Sequence, residues 1–228
     1  MESCVTSFCP PVATWRGTGD PACSDPHGGI TIMLTRFPCR MLFLMLLCCY
    51  PVPQLMAEQD ILIIDDRQSG DSMSTSGNAW AFVSDGVMGG VSDGRLTATQ
   101  ADGRPCLRLQ GEVRLDNNGG FIQGALELPD ALLAEIAGYT GVLLEVHGNG
   151  EHYNVHLRTR DLWMPWQSYR ATFTAPAEWQ TLRLPFTGFA AYRTGKALDV
   201  SRLKRIGIVA IGRAFSADLC IGKIGFYR

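Results

Sequence analysis

Short strand-like segments, several of them alternating apolar and polar residues and punctuated by turns, recur about every dozen residues from residue 61 to residue 228. This rhythm constrains the fold more than any other feature of the chain. In residues 106–115, Cys106, Arg108, Gln110 and Glu112 interleave with Leu107, Leu109 and Val113. A period of two is that of a strand with one face buried. Residues 61–64 are a short apolar run ended by Asp65-Asp66, and 96–99 alternate. Strand signals return at 121–128, 141–147, 152–158, 168–174, 179–184, 205–211 and 217–227. Asn117-Asn118-Gly119-Gly120 and Gly148-Asn149-Gly150 supply turns, because Asn and Gly accept positive φ. Residues 67–79 are polar and rich in Gly and Ser, and are expected to form a loop. Only residues 129–137 (PDALLAEIA) carry helical spacing, with Leu132, Leu133 and Ile136 on one face and Gly138 closing the segment. Many strands, one short helix near 130–137 and no strand–helix–strand rhythm predict an all-β, antiparallel β-sandwich.

Six of the eight cysteines precede residue 58, and a leader-like segment accounts for that part of the chain. After Met33 come Arg36 and Arg40, then the apolar run 41–50, then Pro51 and Pro53 before Leu55-Met56-Ala57. A basic start, a short apolar stretch and a small residue at the end make a secretory signal over 33–57, with cleavage after Ala57. Ten apolar residues at about 1.5 Å each are too short to span a bilayer core of roughly 30 Å. The expected location is therefore export, the periplasm if the source is bacterial. Organelle targeting to mitochondria is the alternative. Residues 1–32 are an untranslated or patternless extension, Met33 being the expected start, and 58–228 form one domain. Cys106 and Cys220 lie among apolar strand residues; buried free thiols are the first reading, a disulfide the other in an oxidising compartment. The net charge is −2 and no basic run exceeds Lys204-Arg205, so nucleic acid is not an expected partner.

The window 81–96, AFVSDGVMGGVSDGRL, contains Gly90-Val91-Ser92-Asp93-Gly94, formally G-x-S-x-G. A nucleophile elbow needs a helix directly after its serine, whereas Leu96-Thr97-Ala98-Thr99 has a strand pattern. Ser92 is the sole candidate nucleophile, for a serine hydrolase, and the favoured reading is non-catalytic. A phosphate loop would need G-K-[ST] or G-x-G-x-x-G, and neither occurs. Gly86, Gly89, Gly90 and Gly94 shape a turn, with Asp85, Ser92 and Asp93 capping its amides. The apolar Val83, Val87, Met88 and Val91 are expected to tuck this loop into the sandwich.

Trp80 followed by Val83-Ser84-Asp85-Gly86-Val87-Met88-Gly89-Gly90-Val91-Ser92 resembles the signature of the complex I intermediate-associated protein 30 family. The likeness continues through Asn118-Gly119-Gly120-Phe121, Tyr139, Gly141, Gly148-x-Gly150, Tyr153, Tyr169, Phe173, Trp179, Leu184-Pro185-Phe186 and Ile206-Gly207-Ile208. The resemblance implies a galactose-binding-like jelly-roll sandwich without catalytic residues or cofactor. It also implies a chaperone-like role, in which a protein client is helped into a respiratory or other membrane-associated complex. An exported chain would face the opposite side of the membrane from the peripheral arm of complex I, which leaves the client open.

A second polar constellation follows Glu151. His152, Asn154, His156 and Arg158 alternate with Tyr153, Val155 and Leu157, and Trp163 and Trp166 come next. His152 and His156 are four residues apart on a strand, about 13 Å, too far for one metal ion. The polar row reads first as a solvated sheet face. The alternative is a carbohydrate or small-ligand face, with the tryptophans stacking on sugar rings. Trp80, Phe173, Trp179, Phe186 and Phe226 are assigned to the core.

Overall fold

In residues 104–113 the outward Arg108 and Gln110 are part-exposed while Leu107, Leu109 and Val113 are buried, as the alternation predicts. The computed structural model describes residues 60–228. The extension 1–32, the leader 33–57 and the cleavage point after Ala57 lie outside these described residues. The chain begins with β1 (Ile61–Asp65), β2 (Ala81–Ser84), β3 (Asp93–Ala101) and β4 (Arg104–Val113). It continues with β5 (Phe121–Glu127), the helix α1 (Asp130–Ile136), β6 (Gly141–Gly148) and β7 (His152–Thr159). β8 (Ser168–Thr174), β9 (Gln180–Pro185), β10 (Ala190–Tyr192), β11 (Leu203–Ile211) and β12 (Phe215–Tyr227) complete it.

The strands form two six-stranded antiparallel sheets, the jelly-roll β-sandwich expected. One has the order β3-β4-β12-β6-β9 with β1 added along β12; the other runs β10-β8-β7-β11-β5-β2. The 13-residue β12 pairs with β4 through its first half and with β1 through its second. Between the sheets lies one core that includes Leu109, Ile122, Leu144, Val155, Ile208 and Phe226, all fully buried. Each such side chain contributes about 1.5–3 kcal/mol on leaving water. Trp80 and Phe173 belong to it, and Phe186 packs against it half-buried. The helix sends Ile136 inward and rests Leu132 and Leu133 on the core edge.

Three expectations are corrected. Cys106 and Cys220 are not free thiols but a disulfide, with Cα atoms 5.4 Å apart. Pairing of Cys220 with Arg108 sets the two cysteines diagonally on adjacent β4 and β12, within bonding reach. Trp179 is not a core residue. Its indole lies half-buried against Gly222 and His147, with Nε1 donating to the Ala101 carbonyl at 3.0 Å. Lastly, the loop after β2 is built the other way round from the prediction: Val87 and Met88 are 73% and 58% exposed, while Asp85 is fully buried.

The loop 66–79 is held by an ion pair that sequence patterning did not single out. Arg67 and Asp65 are both buried; Nη1 donates to Asp65 Oδ2 at 2.8 Å, and the Trp80 indole donates to the same oxygen at 2.6 Å. Arg67 Nη2 also donates to the carbonyls of Asp71 and Met73, so one guanidinium ties the loop to the start of the sandwich.

Candidate functional site

The sheet β10-β8-β7-β11-β5-β2 buries one face in the core, and its other face carries an open cleft of about 570 Å³. The cleft floor is made by outward side chains that alternate with core residues: Gln123 beside Ile122, His156 between Val155 and Leu157, Arg170 beside Tyr169. One wall is the loop after β2 together with the Asn118-Gly119-Gly120 turn; the other is Pro165 and Trp166 of the segment between β7 and β8.

Asp85 builds the first wall. Its Oδ1 accepts from the Ser92 amide at 2.9 Å. Its Oδ2 accepts from Ser92 Oγ at 2.5 Å, Gly120 N at 2.5 Å and Phe121 N at 3.2 Å. Burial alone would push this carboxyl up. The bonds from Ser92, Gly120 and Phe121 outweigh that effect and hold it below the ordinary carboxylate range. Ser84 Oγ accepts from the Gly86 amide and starts the turn, which ends at Gly89 with φ of 85°, a conformation that favours glycine. A Cβ on Gly90 or Gly119 would fall on the Asp85 carboxylate, which explains those two glycines. Ser92 is buried and hydrogen-bonds to Asp85 and the Arg114 backbone, and β3 rather than a helix follows it. Its hydroxyl is a structural bond between two loops. Trp80 of the same motif stands apart, in the core.

Arg158 builds the second wall. Its guanidinium donates to the backbone carbonyls of Leu162, Met164 and Pro165. This grip fixes a loop in which Leu162 is buried while Trp163 and Trp166 are 87% and 46% exposed. Burial, and then the neighbouring Arg205, lower the Arg158 pKa from its usual value.

Of the six predicted ligand residues, the cleft brings together His156, Arg158 and Trp166. Trp163 lies on the other side of Pro165, in a smaller depression beside Lys204 and Arg205. His152 and Asn154 share the sheet face but lie outside the cleft lining, engaged with Thr174 and Thr172. His156 is 9% exposed, and its Nε2 is buried with no hydrogen-bond partner. Burial chiefly, and Arg170 next, push its pKa down to about 3, so the ring is neutral. Among the described residues no group of three or more His, Cys, Asp or Glu could hold a metal ion.

Sequence reasoning missed Gln123, Arg170, Tyr192, Arg193 and Arg205 in the lining. Two of these had a signal. The alternation in 121–128 and 168–174 puts Gln123 and Arg170 on the outward face of their strands, whereas 205–211 is apolar after Arg205 and offers none. Tyr192 closes a three-residue edge strand and Arg193 follows it, with too little pattern to read.

No curated protein compared with the chain matches it significantly. Solved structures do match in fold. A family 11 carbohydrate-binding module from Clostridium thermocellum, in complex with a β-1,3-1,4-mixed-linked tetrasaccharide, superposes with a TM-score of 0.57 at 12% identity, covering 73% of this chain and 94% of that one. A family 30 carbohydrate-binding module of a Clostridium thermocellum cellulosomal cellulase gives 0.50 at 14% identity, covering 72% and 96%. At such identities the likeness concerns architecture. The family model for complex I intermediate-associated protein 30 (CIA30) matches residues 67–221, from the Arg67 staple through the Asp85 loop and the cleft sheet to β12. The chain belongs to the complex I intermediate-associated protein 30 family.

Proposed function

We propose that this chain is a non-catalytic binding protein that holds a segment of a client protein in the cleft, in chaperone-like support of a membrane-associated complex during assembly. The observation that carries this reading is the apolar rim. Val87 and Met88 on one wall and Trp166 on the other are exposed, with Trp163 beyond them. Exposed apolar side chains gathered around a concave site mark a surface that a partner covers. The family's name points to respiratory complex I as the assembly concerned. The Cys106–Cys220 disulfide and the leader-like segment support an exported location, and hence a client on that side of the membrane. Engagement of Ser92 by Asp85 supports a role without that serine as nucleophile.

Carbohydrate is the second reading. It is favoured by the exposed Trp166 ring in one cleft with Gln123 and His156, groups able to bond sugar hydroxyls. Cross-linked purification from membranes, with wild type and the Met88→Asp and Trp166→Ala variants quantified side by side, separates the two. The client reading predicts subunits of one membrane complex, depleted about tenfold in each variant, a loss worth roughly 1.4 kcal/mol at an interface anchor. A glycan array that binds wild type but not Trp166→Ala, with no subunit enriched, would replace it with the carbohydrate reading.

A further inference from the structure

The cleft floor carries a charge imbalance that docking on the apolar rim does not use. Arg158, Arg170, Arg193 and Arg205 line it, and no aspartate or glutamate does. Arg158 and Arg205 stand directly opposite each other on β7 and β11, and like charges so placed weaken a sheet. These two have other partners: Arg205 pairs with Glu127, and Arg158 grips loop carbonyls. Arg170 and Arg193 have no carboxylate partner among the described residues. Both stand by one ring. The Arg170 guanidinium lies 3.4 Å from the Tyr192 centroid and that of Arg193 5.4 Å from it. Arg170 is further fixed by donating from Nε to Ser168 Oγ at 3.0 Å.

Directly across from Arg170 in the β7–β8 register is His156, whose buried Nε2 has no partner. Buried polar atoms are nearly always satisfied, so an unmet one on a side chain that lines an open cleft points to a ligand atom that meets it. Two unneutralised guanidiniums beside a neutral imidazole suit an oxyanion: Arg supplies charge and a planar fork, and His a directional N–H. The rim decides where the oxyanion comes from. A free phosphate would leave Val87, Met88 and Trp166 uncovered, whereas side chains flanking an acidic residue in a polypeptide would cover them.

We propose that the cleft floor binds carboxylates of an acidic, apolar-flanked segment of the client, with Arg170 and Arg193 as counter-charges and His156 Nε2–H as donor. This rests on the client-binding reading above and names the chemistry of what that client presents.

Fluorescence anisotropy with two labelled octapeptides tests it: alternating Glu-Leu and alternating Gln-Leu, added to the full chain with and without inorganic phosphate. The proposal predicts that the Glu-Leu peptide binds about tenfold or more tightly than the Gln-Leu peptide. Arg193→Gln, an exposed site where folding is not at stake, should remove that preference, as should Arg170→Gln. Arg95→Gln, on the edge of the other sheet, should leave it intact, and added salt should weaken it. Equal binding of the two peptides, or a preference unchanged in both cleft variants, overturns the oxyanion site. Phosphate bound in place of either peptide overturns the polypeptide source. Client capture that still depends on Met88 would then place the failure in this inference alone, whereas absent client capture would place it in the reading beneath.

Discussion

Replacing Asp85 by Asn changes one atom's chemistry and almost no volume, so its effect isolates what the carboxylate does. Four hydrogen bonds converge on its two oxygens, all from donors, and the side chain is fully buried. An amide offers one acceptor oxygen and one NH2. If the oxygen keeps the place of Oδ2, the NH2 faces the Ser92 amide, donor against donor. That loses one charge-assisted bond, about 1.5–3 kcal/mol. The other three fall from charge-assisted to neutral strength, together about 1–3 kcal/mol more. A total of about 2.5–6 kcal/mol lowers the thermal midpoint by roughly 5–24 °C at 2–4 °C per kcal/mol for a domain of this size. Thermal unfolding followed by near-ultraviolet circular dichroism measures it. Ser92→Ala should cost less, about 1–3 kcal/mol, and the double variant should cost less than the sum because the two share a bond. An Asp85→Asn midpoint within the roughly 2 °C of an ordinary surface change would refute the assignment of Asp85 as the hub joining the two loops.

Other outcomes follow from the same geometry. Arg67→Met leaves Asp65 buried without its counter-charge and should cost about 3–5 kcal/mol in urea unfolding. Reducing the Cys106–Cys220 bridge, whose cysteines are 114 residues apart, should cost about 2–4 kcal/mol, read as a lower midpoint in dithiothreitol. Acid should expose opposite signs in two buried carboxylates. The Asp85 pKa lies below 3.8 in the fold, so its stabilisation is present above that pH and is lost as pH falls through the folded value. Asp65, raised mainly by burial, favours folding below 3.8 and loses that contribution as pH rises through its folded value. Acid unfolding of Asp85→Asn should therefore be shallower than that of wild type.

Much of the architecture was legible because strands with one face in a core alternate, as β4, β7 and β8 do, whereas β6, β11 and β12 read as strands by their short apolar runs. The strands that escaped notice, β2 and β10, are the two edges of the cleft sheet, four and three residues long, too short for a period to declare itself. The Asp85 loop misled for a physical reason. Hydropathy predicts valine and methionine inside, but the amides of a tight turn need an acceptor more than the core needs two more side chains. The carboxylate went in and Val87 and Met88 went out. The site was legible one strand at a time: the row through His156 and Arg158 was visible in β7. Its neighbours across the sheet depend on register, which places Arg170 beside His156 and Arg205 beside Arg158. Register is a property of pairing, and no single strand carries it. The disulfide has the same origin, since only the pairing of β4 with β12 brings residues 106 and 220 together.

Hydrogen–deuterium exchange of the chain with and without its captured client tests the central claim most directly, because it reports which face is covered. The account predicts slowed exchange at 87–90, 118–121, 163–167 and 190–193, around the cleft. Slowing confined to β3, β4 and β9, on the opposite sheet, would contradict it.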